Sequence, residues 1–576
     1  MPAAPTTLDR PQRWDAAFDP EMSDANVNRL LSTPPFSKMN PENFPKRASL
    51  RDILKHDTRI HTYRRGEIVM REGDYGTSAF LVMSGVVRVV LGPELPASVL
   101  GRRESSRKNF FKAVAQLWSN AREPESFSPG ELKQDMSVSA RRTANDEVKV
   151  FLQDVPRILD RHKTAVIERG EFFGEIAALS RMPRTASVFA ESEEAELLEI
   201  RWQGLRDLMK YDDALRKHID EIYRERALRT ALREVPIFRN LSDDALQKVM
   251  ARTEFGTYGD YDWSGDYKRL VQSGATGQRK QEPVIAEEGD YPNGVILIKA
   301  GFGRVSQKFG NGHRTLNYLG AGHIYGLQEI AHNWRKRDAP VPLQYTLRVI
   351  GYTHVIVIPT EVMEAIVLPS IPRGDLPPLI EPVENEEFAP ASDIDAAEKI
   401  GADMLEFLTE NRFFNGTATM MIDLDRCTRC DDCVRACAAT HDNNPRFLRH
   451  GPISGKLMVA NACMHCVDPV CMIGCPTGAI HRDAFGGQVV INPATCIGCK
   501  ACFNNCPYEA IRMVEIRNED GEFLMDKESK PILKATKCDL CVDQLGGPAC
   551  QRACPHGALV RVNMNDLDAF ADWLKR

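Results

Sequence analysis

Short apolar runs punctuated by glycine fill the first two-thirds of the chain, and no run of 18 apolar residues occurs anywhere. Apolar or alternating runs of this length predict strands of compact β-structure. The pattern occurs twice. Glu72-Gly73-Asp74-Tyr75 followed by AFLVMSG (79–85) matches Glu288-Gly289-Asp290-Tyr291 followed by VILIKAG (295–301), in register and without a gap. Upstream, Thr33-Pro34-Pro35-Phe36-Ser37-Lys38-Met39 has an echo in Val235-Pro236-Ile237-Phe238-Arg239-Asn240-Leu241. Gly85 and Gly301 close the matched runs, where a tight strand-to-strand turn favours glycine. The period is too long for a solenoid, so the simpler reading is two copies of one mainly-β domain.

Helical periodicity appears between and after the copies. Residues 212–232 place Leu215, Ile219 and Ile222 on one face. A second amphipathic stretch, 396–411, follows a proline- and acid-rich segment at 368–390 that reads as an extended linker. These signals divide the chain into a flexible N-terminal arm (1–25), a first β-domain (26–232), a second (233–367), a linker (368–395) and a C-terminal domain (396–576). The copies differ in length. From Gly85 to Gly174 there are 89 positions, against 25 from Gly301 to Gly326. The first copy therefore carries an insertion at about 95–160, of a length that loop closure tolerates. It contains a basic cluster (Arg102, Arg103, Arg107, Lys108) and an apolar-faced segment, FFKAVAQLW (110–118), and reads as a surface excursion with one docked helix. A docking arm for a partner is the sharper alternative. The second copy has its own insertion around 256–282.

Composition adds limits. The 576 residues are 43% hydrophobic, enough for several separate cores. A net charge of −6 gives no electrostatic reason to expect nucleic acid. The N-terminus, MPAAPTTLDRPQRW, has neither an apolar signal core nor a twin-arginine motif. No membrane span and a cytoplasmic location are therefore expected, although a subunit without a signal is also exported when bound to a partner that has one.

Chemistry enters with the cysteines. All 16 lie between residues 427 and 554, in four groups of four. They are Cys427, Cys430, Cys433 and Cys437; Cys463, Cys466, Cys471 and Cys475; Cys496, Cys499, Cys502 and Cys506; and Cys538, Cys541, Cys550 and Cys554. A C-x2-C-x2-C run wraps three thiolates around one iron–sulfur cube, while the next cysteine ligates another cube. Groups one and three have this spacing unmodified, and groups two and four lengthen the loop before their third cysteine. A disulfide framework suits a short secreted chain, not one whose first 426 residues lack cysteine. Zinc sites favour separated C-x2-C pairs over runs ending in Cys-Pro. Sixteen thiolates then imply four [4Fe–4S] clusters.

The block MIDLDRCTRCDDCVRAC, ACMHCVDPVCMIGCPTGAI, CIGCKACFNNCPYEAI and KCDLCVDQLGGPACQRACPHGAL resembles the four-cluster, ferredoxin-like electron-transfer subunits of the dimethyl-sulfoxide, polysulfide and formate oxidoreductase families. The resemblance implies nested sharing: groups one and four hold two clusters together, and groups two and three the other two. The gap between groups one and two also suits a sequential pairing, so spacing leaves both open. Ala438 stands where the other groups have proline. His465 reads as an outer residue tuning sulfur hydrogen bonds, and Asp468 and Lys500 as ordinary loop polars.

In the first β-copy, Phe173-Gly174-Glu175-Ile176-Ala177-Ala178-Leu179, continuing through Pro183-Arg184-Thr185-Ala186-Ser187-Val188, resembles the phosphate-binding cassette of cyclic-nucleotide-binding β-rolls. The resemblance implies a pocket of Gly174, Glu175, Ile176, Ala177, Arg184 and Thr185. Arg184 would pair with the cyclic phosphate, Glu175 with the ribose hydroxyl, and the N–H groups after Gly174 with the phosphate. The plain alternative is that Glu175 and Arg184 pair on a roll that has lost its ligand. In the second copy Gly326 remains but Leu327 replaces the glutamate. Tyr345 takes the arginine position when Val349 is aligned with Val188, leaving Glu329 and Arg348 as distant substitutes. That copy is expected to be degenerate.

The resulting fold class is multidomain: two mainly-β cyclic-nucleotide-binding β-rolls with flanking helices, then an α+β ferredoxin-like poly-[4Fe–4S] domain. The function expected is a non-catalytic electron-transfer subunit of an oxidoreductase, with cAMP or cGMP bound to the first β-roll as a regulatory ligand. Its partners would be redox proteins: a catalytic subunit and an electron donor or acceptor. No Rossmann glycine fingerprint and no molybdopterin motif is present. The alternative is a redox- and nucleotide-responsive regulator with no dedicated electron-transfer role.

Overall fold

The computed structural model of the chain describes residues 18–92, 95–96, 99–100, 140–142, 148–152, 155–180, 183–259, 263–273, 282–309, 312–380, 400–473, 475, 478–483, 487–493, 496–518, 520–526, 529–544 and 546–575. Residues 1–17 of the expected arm, the cluster Arg102, Arg103, Arg107 and Lys108, the segment 110–118 and residues 381–399 lie outside the described residues. The chain forms two compact units, with a break between Tyr223 and Arg224.

The first unit is built on two antiparallel four-stranded sheets. One runs in the order Thr58–Arg64, Glu194–Arg201, Ser78–Ser84, Phe172–Phe173; the other runs Ile68–Met70, Ser187–Ala190, Val87–Gly92, Lys163–Ile167. Phe80, Val82, Val87, Ile167, Phe173, Val188 and Leu197 form one core drawn from both sheets. Ala79, Leu81, Leu198 and Ile200 point the other way, into a second core with the helices Asp24–Leu31, Leu50–His56, Trp202–Tyr211 and Asp213–Tyr223. A strand covered on both faces has no polar side to show. That is why AFLVM reads as an unbroken apolar run. The helix Asp213–Tyr223 buries Leu215, Ile219 and Ile222, and a wider π-helical turn, Arg224–Leu228, follows at the unit break.

The second unit contains both the second β-region and the cysteine-rich region. Its six-stranded antiparallel sheet is ordered Glu254–Gly259, Thr346–Pro359, Gly294–Phe309, Gly312–Leu319; Val284–Ala286 and Ile324–Tyr325 pair onto the two long central strands. The cysteine-rich region has a four-stranded sheet, Ile453–Ser454, Leu457–Val459, Thr419–Asp423, Leu559–Val562, with two small hairpins and short helices around it. Phe302, Tyr318 and Ile350 of the β-region share one core with Leu405, Leu408, Phe414, Met421, Met564 and Phe570. The Phe302 and Phe414 rings meet edge-on with centroids 4.6 Å apart. Polar ties reinforce that core: Arg304 pairs with Glu406 at 3.3 Å, and the Tyr318 hydroxyl donates to the Met564 carbonyl at 2.5 Å.

A further grip comes from the helix Trp263–Ser273, which lies in the second insertion. Trp263 Nε1 donates to Asp468 Oδ2 at 3.0 Å, Tyr267 to the Asn411 carbonyl at 3.0 Å, and Lys268 to the Asn504 carbonyl at 3.0 Å. The half-buried Arg412 places its guanidinium over both aromatic rings of the helix, 4.7 Å from the Trp263 centroid and 5.8 Å from that of Tyr267. Asp468 sits between Cys466 and Cys471, and Asn504 between Cys502 and Cys506. The reading of Asp468 as an ordinary loop polar is corrected, because it anchors a helix 205 residues away. Among the described residues no helix is long and apolar enough to cross a membrane.

Candidate functional site

The first C-x2-C loop of each cysteine group takes the same unusual turn. Arg429, His465, Gly498 and Leu540, the residues before the second cysteine of each group, all have left-handed backbones, with φ of 60°, 51°, 70° and 59°. Only Gly498 adopts this without a steric penalty; for the others it costs about 1–2 kcal/mol per residue. Such strain persists where the surroundings over-determine it, and residues of this kind turn backbone N–H groups toward an anionic centre.

These loops gather eight of the cysteines around two hollows. Cys427, Cys430, Cys433 and Cys554 line a hollow with an empty volume of about 340 Å³ that is partly open to solvent. Cys475, Cys496, Cys499 and Cys502 line another of about 340 Å³. Each hollow takes three cysteines from one group and the last cysteine of another. Among the remaining eight, neighbouring thiols raise one another. Burial, then Cys506, Cys463 and Cys466, raises the Cys471 thiol well above its usual range. Burial, then Cys538, Cys437 and Cys541, pushes Cys550 up to about 12, against the pull of Arg561. Within the first two sets, Cys433 is pushed up to about 11 and Cys502 to about 12, again by burial first and then by their neighbours.

Four buried thiols that raise one another's pKa are poor thiolates until cations are placed among them. Iron supplies those cations, and the surrounding polar groups suit a sulfide-rich centre. Both ring nitrogens of His465, which is 1% exposed, and the buried Nε atoms of Arg561 and Arg449 have no hydrogen-bond partner among the described residues. All three residues lie next to cysteine loops, and each can donate to sulfur. The residues present therefore fit iron–sulfur clusters, which when bound supply one-electron redox chemistry.

Exposure separates the sets. Cys430 and Cys499 are exposed, each on one of the two hollows, whereas Cys437, Cys538, Cys541 and Cys550 are all buried. Several partners of these cysteines carried no signal in the sequence. His441 Nε2 meets Asp539 Oδ1 at 3.0 Å, and its Nδ1 meets the Cys437 carbonyl at 2.8 Å. Burial opposes charge on both groups, yet the pair overrides it: His441 is held well above its usual range and Asp539 well below. His441 lies four residues past Cys437, just beyond the end of the helix Asp432–Ala439, and that spacing was the available clue. Arg561 is seven residues past the last cysteine, on a strand with no motif.

The first unit holds the other site. Gly174, with φ 76°, leads into the helix Glu175–Ser180, and Glu175 is buried at 1% exposure. Arg184 is 5% exposed; its Nη1 donates to the Gly174 carbonyl and its Nη2 to the Ser78 carbonyl, both at 2.6 Å. The Phe80 ring lies 5.7 Å from the guanidinium. Gly76 makes room for it, since a Cβ there would stand 2.0 Å from Arg184 Nε. Ala177 is buried, Ile176 half-buried and Thr185 exposed. The structure thus brings Gly174, Glu175 and Arg184 together and leaves Thr185 on the rim.

The second β-region repeats this framework with different side chains. In the first, the Gly73 amide donates to the Arg184 carbonyl, the Arg184 amide to the Asp74 carbonyl, and the Glu72 amide to Ser187 Oγ. In the second, Gly289 donates to Leu343, Leu343 to Asp290, and Glu288 to Thr346 Oγ1. Leu343, not Tyr345, therefore occupies the arginine position. A Cβ on Gly326 would meet Leu343 Cδ2 at 3.9 Å, just as one on Gly174 would meet Arg184. The two substitutes point to other partners: Glu329 accepts from the Gln344 amide at 3.3 Å, while Arg348 meets His313 at 3.1 Å.

Comparison with known proteins agrees with both sites. Residues 455–564 match the family described as a 4Fe-4S dicluster domain, and residues 156–212 the cyclic nucleotide-binding domain. The Electron transport protein HydN of Escherichia coli is 37% identical over 165 residues, covering 26% of this chain and 91% of that protein. The NADH-dependent phenylglyoxylate dehydrogenase subunit beta of Aromatoleum evansii is 30% identical over 164 residues, covering 27% of this chain and 33% of that one. Among solved structures, the regulatory domain of Toxoplasma gondii PKA with cAMP is 13% identical, covering 60% of this chain and 94% of that one with a TM-score of 0.20. The matches and the sites define a protein that joins a cyclic-nucleotide-binding domain to an iron–sulfur electron-transfer region. Through that second region, the chain belongs to the family of iron–sulfur electron-transport proteins that includes HydN.

Proposed function

We propose that the chain is the electron-transfer subunit of an oxidoreductase, carrying four [4Fe–4S] clusters. The ligand sets are Cys427, Cys430, Cys433 and Cys554; Cys437, Cys538, Cys541 and Cys550; Cys463, Cys466, Cys471 and Cys506; and Cys475, Cys496, Cys499 and Cys502. The observation that carries this reading is the exchange of last cysteines, visible in the two hollows, which links the sets two by two. Exposed Cys430 and Cys499 make the outer two centres the points where redox partners meet the wire. Partners of the kind implied by the phenylglyoxylate dehydrogenase subunit, a catalytic subunit and an electron donor or acceptor, suit those ends. The compartment proposed is the cytoplasm.

In this reading both β-regions are β-rolls of the cyclic-nucleotide type, and the cysteine region is an α+β ferredoxin-like domain. The first roll binds cAMP or cGMP through Gly174, Glu175, Ile176, Ala177, Arg184 and Thr185. The second, with Leu327 and Leu343 in the charged positions, binds none and serves as a structural mount. Its helix Trp263–Ser273 touches the loops of two cluster sites, and the nucleotide on the first roll is read as a gate on electron transfer.

The test is anaerobic purification of the full chain with iron and sulfide analysis. About sixteen of each per chain are expected from four cubes. Cys437→Ser should perturb the same resonance as Cys550→Ser. Coupling of Cys437→Ser to the Cys463 centre instead would overturn the pairing.

A further inference from the structure

Between two of the four cysteine sets lies a buried cationic junction to which the ligand roles assign no part. Arg561 donates through Nη2 to Cys538 Sγ at 3.0 Å, and through Nη1 to the carbonyls of Ala418 at 3.0 Å and Cys463 at 3.3 Å. A single guanidinium thus touches a thiol of the Cys437, Cys538, Cys541, Cys550 set and the backbone of the first cysteine in the Cys463, Cys466, Cys471, Cys506 set. His465 projects from the loop of the second set, and the charges nearest it are Lys537, Arg561, Asp539 and Arg482. Lys537, 5% exposed, donates to the Cys538 carbonyl at 2.9 Å. Asp539, the carboxylate among these groups, is paired with His441.

A buried guanidinium carries a desolvation cost of several kcal/mol that neutral carbonyls repay poorly. It is repaid by a nearby anion, and a cluster with four thiolates is one, more so after reduction. Arginine suits the position because it stays protonated and its planar fork holds two acceptors at a fixed separation.

We propose that Arg561 is the bridge between the two inner iron–sulfur centres, raising the reduction potential of the Cys538 centre and fixing its ligand loop to that of the Cys463 centre. This rests on the four-centre reading above. The step it serves is passage of one electron from one inner centre to the other, with no bond made or broken and no proton moved. A fixed positive charge favours the reduced, more negative state of the centre it touches. Lys534, which donates to the Cys496 carbonyl at 2.5 Å, places a cation at the backbone of an outer centre and serves as the comparison variant.

The experiment is a redox titration of the full-length, iron-loaded chain followed by paramagnetic resonance, with iron and sulfide counted first. In Arg561→Gln, the ratio of oxidised to reduced Cys538 centre at its native midpoint should rise about tenfold, equivalent to about 59 mV for one electron. The Cys427 and Cys475 centres should keep their midpoints, and Lys534→Gln should move the Cys475–Cys496 centre instead. An unchanged Cys538 midpoint in a fully loaded variant, or an equal shift at every centre, overturns the proposal alone. A native chain lacking either inner centre overturns both this and the four-centre reading. If Arg561→Gln fails to hold iron, Arg561→Lys decides. Its shorter cation withdraws from Cys538 Sγ, so a several-fold shift in the same direction supports the bridge, and none overturns it.

Discussion

The two β-regions share a backbone framework and differ in what their side chains are used for. In the first, Glu175 and Arg184 are buried together, and the arginine is held by the carbonyls of Gly174 and Ser78. In the second, leucines stand at both places, and the polar investment has moved to the helix Trp263–Ser273 and its contacts with the cysteine loops. The turn hydrogen bonds around Gly73 and Gly289 survive in both because backbone atoms make them. A pocket depends on two or three side chains and is lost with them. The fold persists, and a different surface of it takes on work.

The largest expected effect lies in the second region. Trp263→Ala removes a side chain that is 7% exposed and deletes its bond to Asp468. A loss of about 3–5 kcal/mol is expected, from the typical cost of emptying a buried aromatic site. Thermal melting of the iron-loaded chain would check it, and an unchanged melting point would show that the helix is not a structural grip. In the first region, Arg184→Ala should weaken nucleotide binding by about 2–5 kcal/mol, the range for removing one partner of a buried charge pair. Calorimetry on the full chain with cAMP and cGMP measures this, and binding that survives the substitution would place the pocket elsewhere.

A smaller effect should connect the two regions. Saturating nucleotide should change the affinity for a redox partner or the rate of cluster reduction several-fold, corresponding to a coupling of about 1–3 kcal/mol. Identical rates with and without nucleotide would leave two unrelated functions on one chain. The smallest effect concerns acid. His354, in the strand Thr346–Pro359, is buried, and burial followed by the nearby Lys299 holds it well below its usual pKa. Below about pH 6.5 the unfolded chain binds a proton that the folded region refuses. Stability there should fall as pH drops, by up to about 1.4 kcal/mol per unit. His354→Phe should flatten that slope in denaturant melts between pH 7 and 5, and an unaltered slope would assign the acid sensitivity to another group.

The four cysteine groups were legible because ligand spacing is a local property, since three thiolates around one centre need only a few residues and one left-handed turn, whereas spacing left open which group supplies the fourth thiol. Arg184 was legible for the same reason, since the whole cassette runs from Gly174 to Thr185. Leu343 was missed through an offset of two residues. Val349 resembles Val188 as a side chain, but the strand register follows Thr346 and Ser187, whose hydroxyls receive the same turn amide. Arg561, His441 and Asp468 were missed or undervalued because their partners are remote in sequence: Arg561 meets Ala418 across 143 positions and Cys463 across 98. No periodicity reports such contacts, which exist only after the sheet Thr419–Asp423 with Leu559–Val562 has formed.

The nesting of the cysteine groups also sets an order in time. The hollow of Cys475, Cys496, Cys499 and Cys502 has all its thiols once residue 502 has been made, whereas that of Cys427, Cys430 and Cys433 waits for Cys554, 52 residues later. At about 5–20 residues per second, the ribosome takes about 3–10 s to cover that distance. Throughout that interval the earliest thiols are the ones left open to oxygen and competing metals. The first-made hollow is therefore the last to be completed, and a nascent chain stalled before Cys554 would be released with that hollow one thiol short.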